Sequence, residues 1–274
     1  MRHRAALLAI LLLSAALHFW GLADGGWGNQ YYAVTVKSML TSAHNFFFAS
    51  FDAGGFVTVD KPPLGLWVQA ASTALFGFNG LSLILPQAMA GILSVAVLYH
   101  LVRRSFGANA ALIAALVLTV SPISVAANRN NTMDGQLVLT SLLAAWAVSL
   151  AMREVRGAQL RWLLACAALV GIGFNIKMLQ AFLVLPAFVV VYGVMARLAW
   201  WKRIVHLSVA ALVLMVVSLA WPLAVDLTPP DERPFIGSSR DNTVMELIVG
   251  HNGLTRLRSP ASPAWLTALF RRQP

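Results

Sequence analysis

Residues 81–102 read LSLILPQAMAGILSVAVLYHLV and are followed directly by Arg103 and Arg104. The run contains no Asp, Glu, Lys or Arg, and about 20 apolar residues are needed for a helix to cross the hydrocarbon layer of a membrane. Backbone amides find no water partner in lipid, so a spanning segment must be helical. The stretch therefore predicts a transmembrane helix that ends at two arginines.

The same pattern recurs on both sides of this run. The chain is 59% hydrophobic and 11% charged, whereas soluble domains carry about 25% charged residues. We predict an all-α integral membrane protein with a transmembrane module over residues 1–226 and an outer loop or tail over 227–274. The predicted spans are 5–22, 81–102, 108–127, 135–152, 162–176, 178–198 and 204–225. A signal peptide is the alternative for the first span, but no small-residue cleavage site follows it.

The basic residues predict the orientation of these spans. The net charge of +10 would favour nucleic acid in a soluble protein, but here the lysines and arginines cluster in loops at alternate ends of the spans. By the positive-inside rule those ends face the cytoplasm. Of the acidic residues only Glu154 then lies inside, and residues 23–80 form a large outer loop. Within it, residues 62–80 are predicted to form a helix that lies on the outer interface or is partly re-entrant. A full span there would move Arg103 and Arg104 outside and invert the orientation of every later loop.

The first outer loop carries acidic and basic residues next to a rigid turn. Asp60 and Lys61 precede Pro62 and Pro63, and Asp52 lies a few residues earlier. A lysine at the membrane surface is a point-charge partner for a lipid-linked phosphate, and a carboxylate can act as a general base. A salt-bridged loop anchor is the alternative.

Three further positions add charge to the same predicted outer rim. Arg129 and Asp134 lie between the third and fourth spans, and Lys177 is expected at a tight turn between the fifth and sixth. Asp134 begins a helix, so simple capping competes with a functional role. An ionisable residue at membrane depth is nonetheless a functional hypothesis by default.

A third polar segment follows the last span and is rich in turn-forming residues. Its Arg233 and Arg240 are candidates to bind phosphate or sugar. His251 is interpreted as a loop hydrogen-bonding residue, because no second histidine lies at ligand spacing. The sequence indicates no metal ligand set, and a divalent metal stays an open option.

These segments resemble the bacterial GT-C membrane glycosyltransferases related to the protein O-mannosyltransferases and the aminoarabinose transferase of lipid A (glycosyltransferase family 39 type). The resemblance covers essentially the whole chain. The motifs that carry it are Tyr31-Tyr32-Ala33, Lys37-Ser38-Met39, Asp60-Lys61-Pro62-Pro63-Leu64-Gly65, Arg129 with Asp134, Lys177 and Trp221-Pro222.

The resemblance implies a GT-C helical bundle with a large first outer loop in the bacterial cytoplasmic membrane, with its active face outside. It implies inverting transfer from a polyprenyl-phosphate sugar to a lipid, glycan or protein acceptor. Asp60, Asp52 or Asp134 would deprotonate the acceptor, and Lys61, Arg129 and Lys177 would hold the leaving phosphate. Tyr31, Tyr32, Arg233 and Arg240 are the further predicted substrate-binding residues.

Two departures from the family pattern keep alternatives open. Where relatives carry an acidic pair before the tyrosines, this chain has Gly28 and Asn29. The chain is also short, which suggests a truncated sequence. A non-catalytic relative is therefore one alternative, and a lipid or solute transporter or flippase is another, although the latter would need charged or broken helices at mid-membrane.

Overall fold

The computed structural model describes residues 2–153 and 157–254, and this part of the chain is predominantly helical. Its β structure is limited to two isolated bridges, Ser50 with Thr58 and Val57 with Phe235. Glu154 and residues 255–274 of the predicted tail lie outside the described residues.

The helices follow one another along the chain with short connections. They are α1 (Arg2–Phe19), α2 (Gln30–Met39), α3 (Ala43–Phe48), α4 (Leu64–Phe76), α5 (Gly80–Val120), α6 (Pro122–Asn128), α7 (Asp134–Arg153), α8 (Gln159–Lys177), α9 (Leu185–Met195), α10 (Trp200–Asp226) and α11 (Val244–Glu246). Short 3-10 helices span Ala23–Gly25 and Met178–Val184, and a π-helix spans Leu247–Leu254.

Among the described residues, five helical stretches are long and apolar enough to cross a membrane, which confirms the prediction of an all-α membrane protein. Two of the five contain a break. The 41-residue α5 would be about 60 Å long if straight, twice the hydrocarbon thickness of about 30 Å. Gly107 interrupts it with φ of 84°, and Val95 and Tyr99 then pack against Ala111 and Ala115. The helix therefore folds back on itself, close to the arginine pair that the sequence placed in a loop.

The stretch Gln159–Met195 is interrupted in the same way. Met178 has φ of 51°, and the 3-10 helix that starts there leads into α9. This is the turn expected at Lys177. With the two breaks, the five stretches correspond to the seven predicted spans.

The bundle packs through small residues. Helix α8 contacts α7 and α10, and α5 contacts α1 and α7. A Cβ added at Gly171 of α8 would lie 2.8 Å from the Val217 side chain of α10, so only glycine allows this approach. Small residues at helix contacts are typical of membrane bundles, where van der Waals packing drives association.

The first loop forms a cap of three short helices at one end of the bundle. Helix α4 has 13 residues, about 20 Å at the helical rise, which is too short to span and agrees with an interfacial position. A later segment closes over the loop, because the Phe235 N–H donates to the Phe56 carbonyl (2.8 Å) and the Thr58 N–H donates to the Phe235 carbonyl (2.9 Å). A Cβ at Gly237 would lie 2.2 Å from the Thr58 oxygen, so this contact requires glycine.

Candidate functional site

The centre of the candidate site is the ion pair between Asp60 and Lys61. Lys61 Nζ donates to Asp60 Oδ2 (2.5 Å) and to the Asp60 carbonyl (3.2 Å). Both side chains are largely buried, with 8% of Lys61 and 19% of Asp60 exposed. Asp60 Oδ1 is buried and has no hydrogen-bond partner among the described residues. The carboxylate therefore has an unused acceptor atom, which is uncommon for a buried polar group.

Tyr31 of α2 contacts this pair at Asp60. Its hydroxyl accepts a hydrogen bond from the Asp60 N–H (3.2 Å), and its ring stacks on Phe51 at 4.9 Å. Burial and then the negative charge of Asp60 raise the pKa of the Tyr31 phenol, so the group keeps its proton and can donate to an anion. Tyr32 is buried beside it, with the two ring centroids 5.5 Å apart.

The π-helix brings two residues to Asp60 that sequence reasoning did not place there. His251 Nε2 lies 3.6 Å from Asp60 Oδ2. The Asn252 amide donates to the Asp60 carbonyl (3.3 Å) and lies 3.1 Å from Met178 Sδ. Because Met178 directly follows Lys177, Asn252 links the Asp60 pair to a second charged pair.

That second pair is Lys177 with Asp134. Lys177 Nζ donates to Asp134 Oδ1, and Lys177 ends α8 while Asp134 begins α7, so each charge also suits its helix dipole. The Asp134 side chain is 43% exposed and lines a cavity of 440 Å³ together with Ser94 and Asn128. Asn128 Oδ1 is buried without a partner among the described residues, so the cavity wall also has unused bonding capacity.

Two other predicted residues use their charge on nearby backbone. Arg129 Nη1 donates to the carbonyls of Leu17 (2.9 Å) and Trp20 (2.7 Å) and so fixes the end of α1. The Asp52 carboxylate accepts the N–H groups of Phe56 (3.0 Å) and Val57 (2.9 Å). Burial opposes ionisation of Asp52, but its several backbone hydrogen bonds outweigh burial and lower its pKa.

The predicted arginines of the third segment differ from each other. Arg233 is buried and donates to the Val225 carbonyl (2.6 Å), Asp226 Oδ1 (3.1 Å) and the Asn242 carbonyl (2.8 Å). The Arg240 side chain is 95% exposed and only reaches within 4.0 Å of Glu246. Arg240 is thus available to a ligand, whereas Arg233 holds the loop together.

The position where the family pattern carries acidic residues has a structural role here. Gly28 has φ of 64°, and a Cβ there would lie 2.9 Å from the side-chain oxygens of Asn130 and Asn131. The Asn29 N–H donates to those same oxygens at 3.0 Å and 2.6 Å. The 130–131 loop therefore occupies the space that a side chain at residue 28 would need.

A resident metal site is not evident in the described part of the chain. Within residues 2–153 and 157–254, no three or more His, Cys, Asp or Glu side chains are grouped so that they could hold a metal ion. The site that the structure brings together thus consists of Asp60, Lys61, His251 and Tyr31, with Lys177 and Asp134 close by.

Comparison with known proteins gives consistent results. A family profile described as dolichyl-phosphate-mannose-protein mannosyltransferase matches residues 60–221. Two Bacillus subtilis (strain 168) proteins are similar to the chain. The candidate mannosyltransferase YycA is 47% identical over 93% of this chain and 37% of its own length, and the candidate mannosyltransferase YkcB is 49% identical over 92% and 35%. The chain thus spans about a third of the length of the curated relatives it matches.

A solved structure shares the fold. The crystal structure of ArnT from Cupriavidus metallidurans bound to undecaprenyl phosphate is 26% identical to this chain and superposes with a TM-score of 0.57. The match covers 84% of this chain and 42% of that one.

Proposed function

Since the chain belongs to the GT-C membrane glycosyltransferase family described as dolichyl-phosphate-mannose-protein mannosyltransferases, we propose that it transfers a sugar from a polyprenyl-phosphate donor to an acceptor. The reaction takes place at the outer face of the cytoplasmic membrane and inverts the anomeric carbon. The observation that carries this proposal is the buried Asp60–Lys61 pair with its unused carboxylate oxygen. The ArnT structure with bound undecaprenyl phosphate supports a lipid phosphate as the donor group.

The pair supplies the two functions that a single displacement needs. The acceptor hydroxyl oxygen forms a bond to the anomeric carbon while the bond from that carbon to the phosphate oxygen breaks. The bonding electrons leave with the phosphate, whose negative charge Lys61 stabilises. The acceptor proton passes to the Asp60 carboxylate, which acts as the general base.

Neighbouring residues assist these two groups. The protonated Tyr31 hydroxyl can donate to a phosphate oxygen, and Lys177 adds a second cation near the leaving group. Asp134 is the next candidate for the base, because it lines the 440 Å³ cavity. Asp52 ranks third, since its carboxylate already accepts the N–H groups of Phe56 and Val57.

The donor site is tested by binding undecaprenyl phosphate to the purified chain in nanodiscs. Lys61→Gln should lower the affinity about tenfold or more, because a charge-assisted hydrogen bond contributes roughly 1.5–3 kcal/mol. Lys37→Gln is the matched control and should bind normally, since Lys37 lies over the Phe78 ring, 5.9 Å from its centroid. Equal affinity in the wild type, Lys61→Gln and Lys177→Gln would reject the phosphate site.

A further inference from the structure

The Asp60 carboxylate has two basic neighbours, the adjacent Lys61 and His251 from the π-helix. Lys61 Nζ bonds Oδ2 at 2.5 Å, and His251 Nε2 lies 3.6 Å from the same oxygen. The first is a formed hydrogen bond, while the second lies just beyond the usual range of 2.7–3.2 Å. Asp60 Oδ1 has no partner among the described residues. Two donors thus face a carboxylate that currently bonds only one of them.

The His251 side chain is held near Asp60 by its neighbour. The Asn252 amide donates to the Asp60 carbonyl (3.3 Å) and to the Leu247 carbonyl (3.2 Å). These bonds tie the π-helix to the loop that carries Asp60, so the imidazole stays close to the carboxylate even when its own contact is long.

The other ionisable groups around the pair are already engaged. Glu246, on the helix that leads to His251, accepts the N–H groups of Arg240 and Asp241. The Tyr31 hydroxyl accepts the Asp60 N–H, and Lys177 pairs with Asp134. In the described part of the chain, Lys61 and His251 are the basic side chains with a nitrogen within 4.0 Å of the Asp60 carboxylate.

We infer that His251 is a positioning residue for Asp60, taking over the carboxylate when Lys61 turns to the donor phosphate. The inference rests on the proposed function for the identity of that phosphate. A phosphate beside Lys61 competes with Asp60 for the ammonium group. A buried carboxylate that lost its counter-charge would tend to take up a proton, and a protonated Asp60 cannot accept the proton of the acceptor. A short movement of His251 towards Oδ2 supplies the missing partner.

A double-mutant cycle tests the inference without needing the lipid. Ring NMR signals of His251, assigned by their loss in His251→Gln, are followed against pH in the wild type, Lys61→Met, Asp60→Asn and the double variant. Lys61→Met should raise the pH at which the His251 ring protonates by about one unit, the size expected for an opposite charge that becomes available nearby. In the Asp60→Asn background the same change should have a much smaller effect, because no carboxylate remains to pair with the imidazolium.

Several controls separate the possible results. Lys37→Met, a distant loss of the same charge, should leave the His251 titration unchanged, and matching helical CD spectra verify that each variant is folded. Equal effects of Lys61→Met in the wild-type and Asp60→Asn backgrounds would overturn the inference, because the change would then reflect only lost repulsion between two cations.

The lipid itself provides the second arm of the experiment. Undecaprenyl phosphate added to the wild type should raise the protonation pH of His251 as Lys61→Met does, and should do so less in Asp60→Asn. If the lipid binds and His251 does not respond, the inference is wrong. If the lipid does not bind while the mutant cycle shows coupling through Asp60, the proposed donor is wrong. The exchange of Lys61 for His251 at the Asp60 carboxylate is then still supported.

Discussion

Two ion pairs at the same end of the bundle are buried to a similar degree but differ in how fully they are hydrogen-bonded. Asp226 uses one oxygen for Arg233 and the Val244 N–H, and the other for the Met245 N–H. Asp60 uses one oxygen for Lys61 and leaves the other buried without a partner among the described residues. In the Asp226–Arg233 pair both carboxylate oxygens are hydrogen-bonded, and the buried atom without a partner in the described part of the chain is Arg233 Nε.

The difference indicates separate tasks for the two pairs. A buried charge destabilises a fold unless hydrogen bonds replace the lost water, and the Asp226 carboxylate has them. One Asp60 oxygen lacks such a hydrogen bond. A ligand or a moving side chain that bonds this oxygen would offset part of the free-energy cost of burying the charge. We therefore propose that the Asp226–Arg233 pair stabilises the loop and that the Asp60–Lys61 pair takes part in the reaction. Altering the first pair should mainly reduce stability, and altering the second should mainly reduce turnover.

The largest effect is expected for turnover of Asp60→Asn. The amide keeps the shape of the carboxylate but cannot accept a proton, so the rate should fall roughly 10²–10⁴-fold. The measurement is single-turnover transfer by the full-length protein at saturating donor, screened over polyprenyl-phosphate sugars. Near-normal turnover would move the base to Asp134, and Asp134→Asn is the matched variant for that result.

The next largest effect is expected for the stability of Arg233→Met. Removing one partner of a buried ion pair leaves the other charge unpaired and costs about 3–5 kcal/mol. Reversible denaturation in mild detergent should therefore show a lower free energy of unfolding. Under conditions in which the variant is still folded, it should bind undecaprenyl phosphate like the wild type. Asp60→Asn is the comparison variant and should lose less stability than Arg233→Met, because its side-chain oxygen can still accept the hydrogen bond from Lys61. A reversal of this order would contradict the assignment of the two pairs.

The smallest effect concerns Asp52, whose carboxylate also bonds backbone N–H groups but lies at a partly exposed position. The pKa of Asp52 is lower in the folded protein than in the unfolded chain. Ionised Asp52 therefore stabilises the 52–57 turn at pH values above its unfolded pKa of about 3.9. This contribution to stability is lost as the pH falls through the lower pKa that Asp52 has in the folded protein. Because the carboxylate is partly exposed and screened by solvent, we expect it to contribute only about 0.5–1 kcal/mol.

Hydrogen exchange at the Phe56 and Val57 amides measures the Asp52 contribution. Their protection should decrease below about pH 4 in the wild type. In Asp52→Asn it should be weaker and independent of pH over the same range. A wild-type protection that is flat through this range would assign Asp52 a different task.

The fold followed from the sequence because each spanning run carries its own signal. Length and apolar content predicted the helices, and Lys177 and the Arg103–Arg104 pair indicated the two breaks that the structure shows at Met178 and Gly107. Hydrophobic length is a local property, so no knowledge of distant contacts was required.

The site was predicted only in part, because its contacts are not local. The sequence identified Asp60, Lys61 and Lys177 by residue type, but it could not tell that Arg129 reaches carbonyls about 110 positions earlier. It also gave no reason to connect His251 with Asp60, which lies in a loop 191 residues away. A lone histidine in a polar loop has no distinguishing local pattern. The roles of the individual site residues therefore stay predictions until the variants are measured.

The contacts of Asn252 have a consequence for how the protein is made. This one amide bonds Asp60 from the first loop and contacts Met178 from the middle of the chain. During synthesis all seven spans can enter the membrane before residue 252 leaves the ribosome. The nascent chain would then hold these seven spans with an open site, and the site would close only after the π-helix emerged. A stalled or shortened product that ends before Leu247 would insert normally and lack the residues that complete the Asp60 environment.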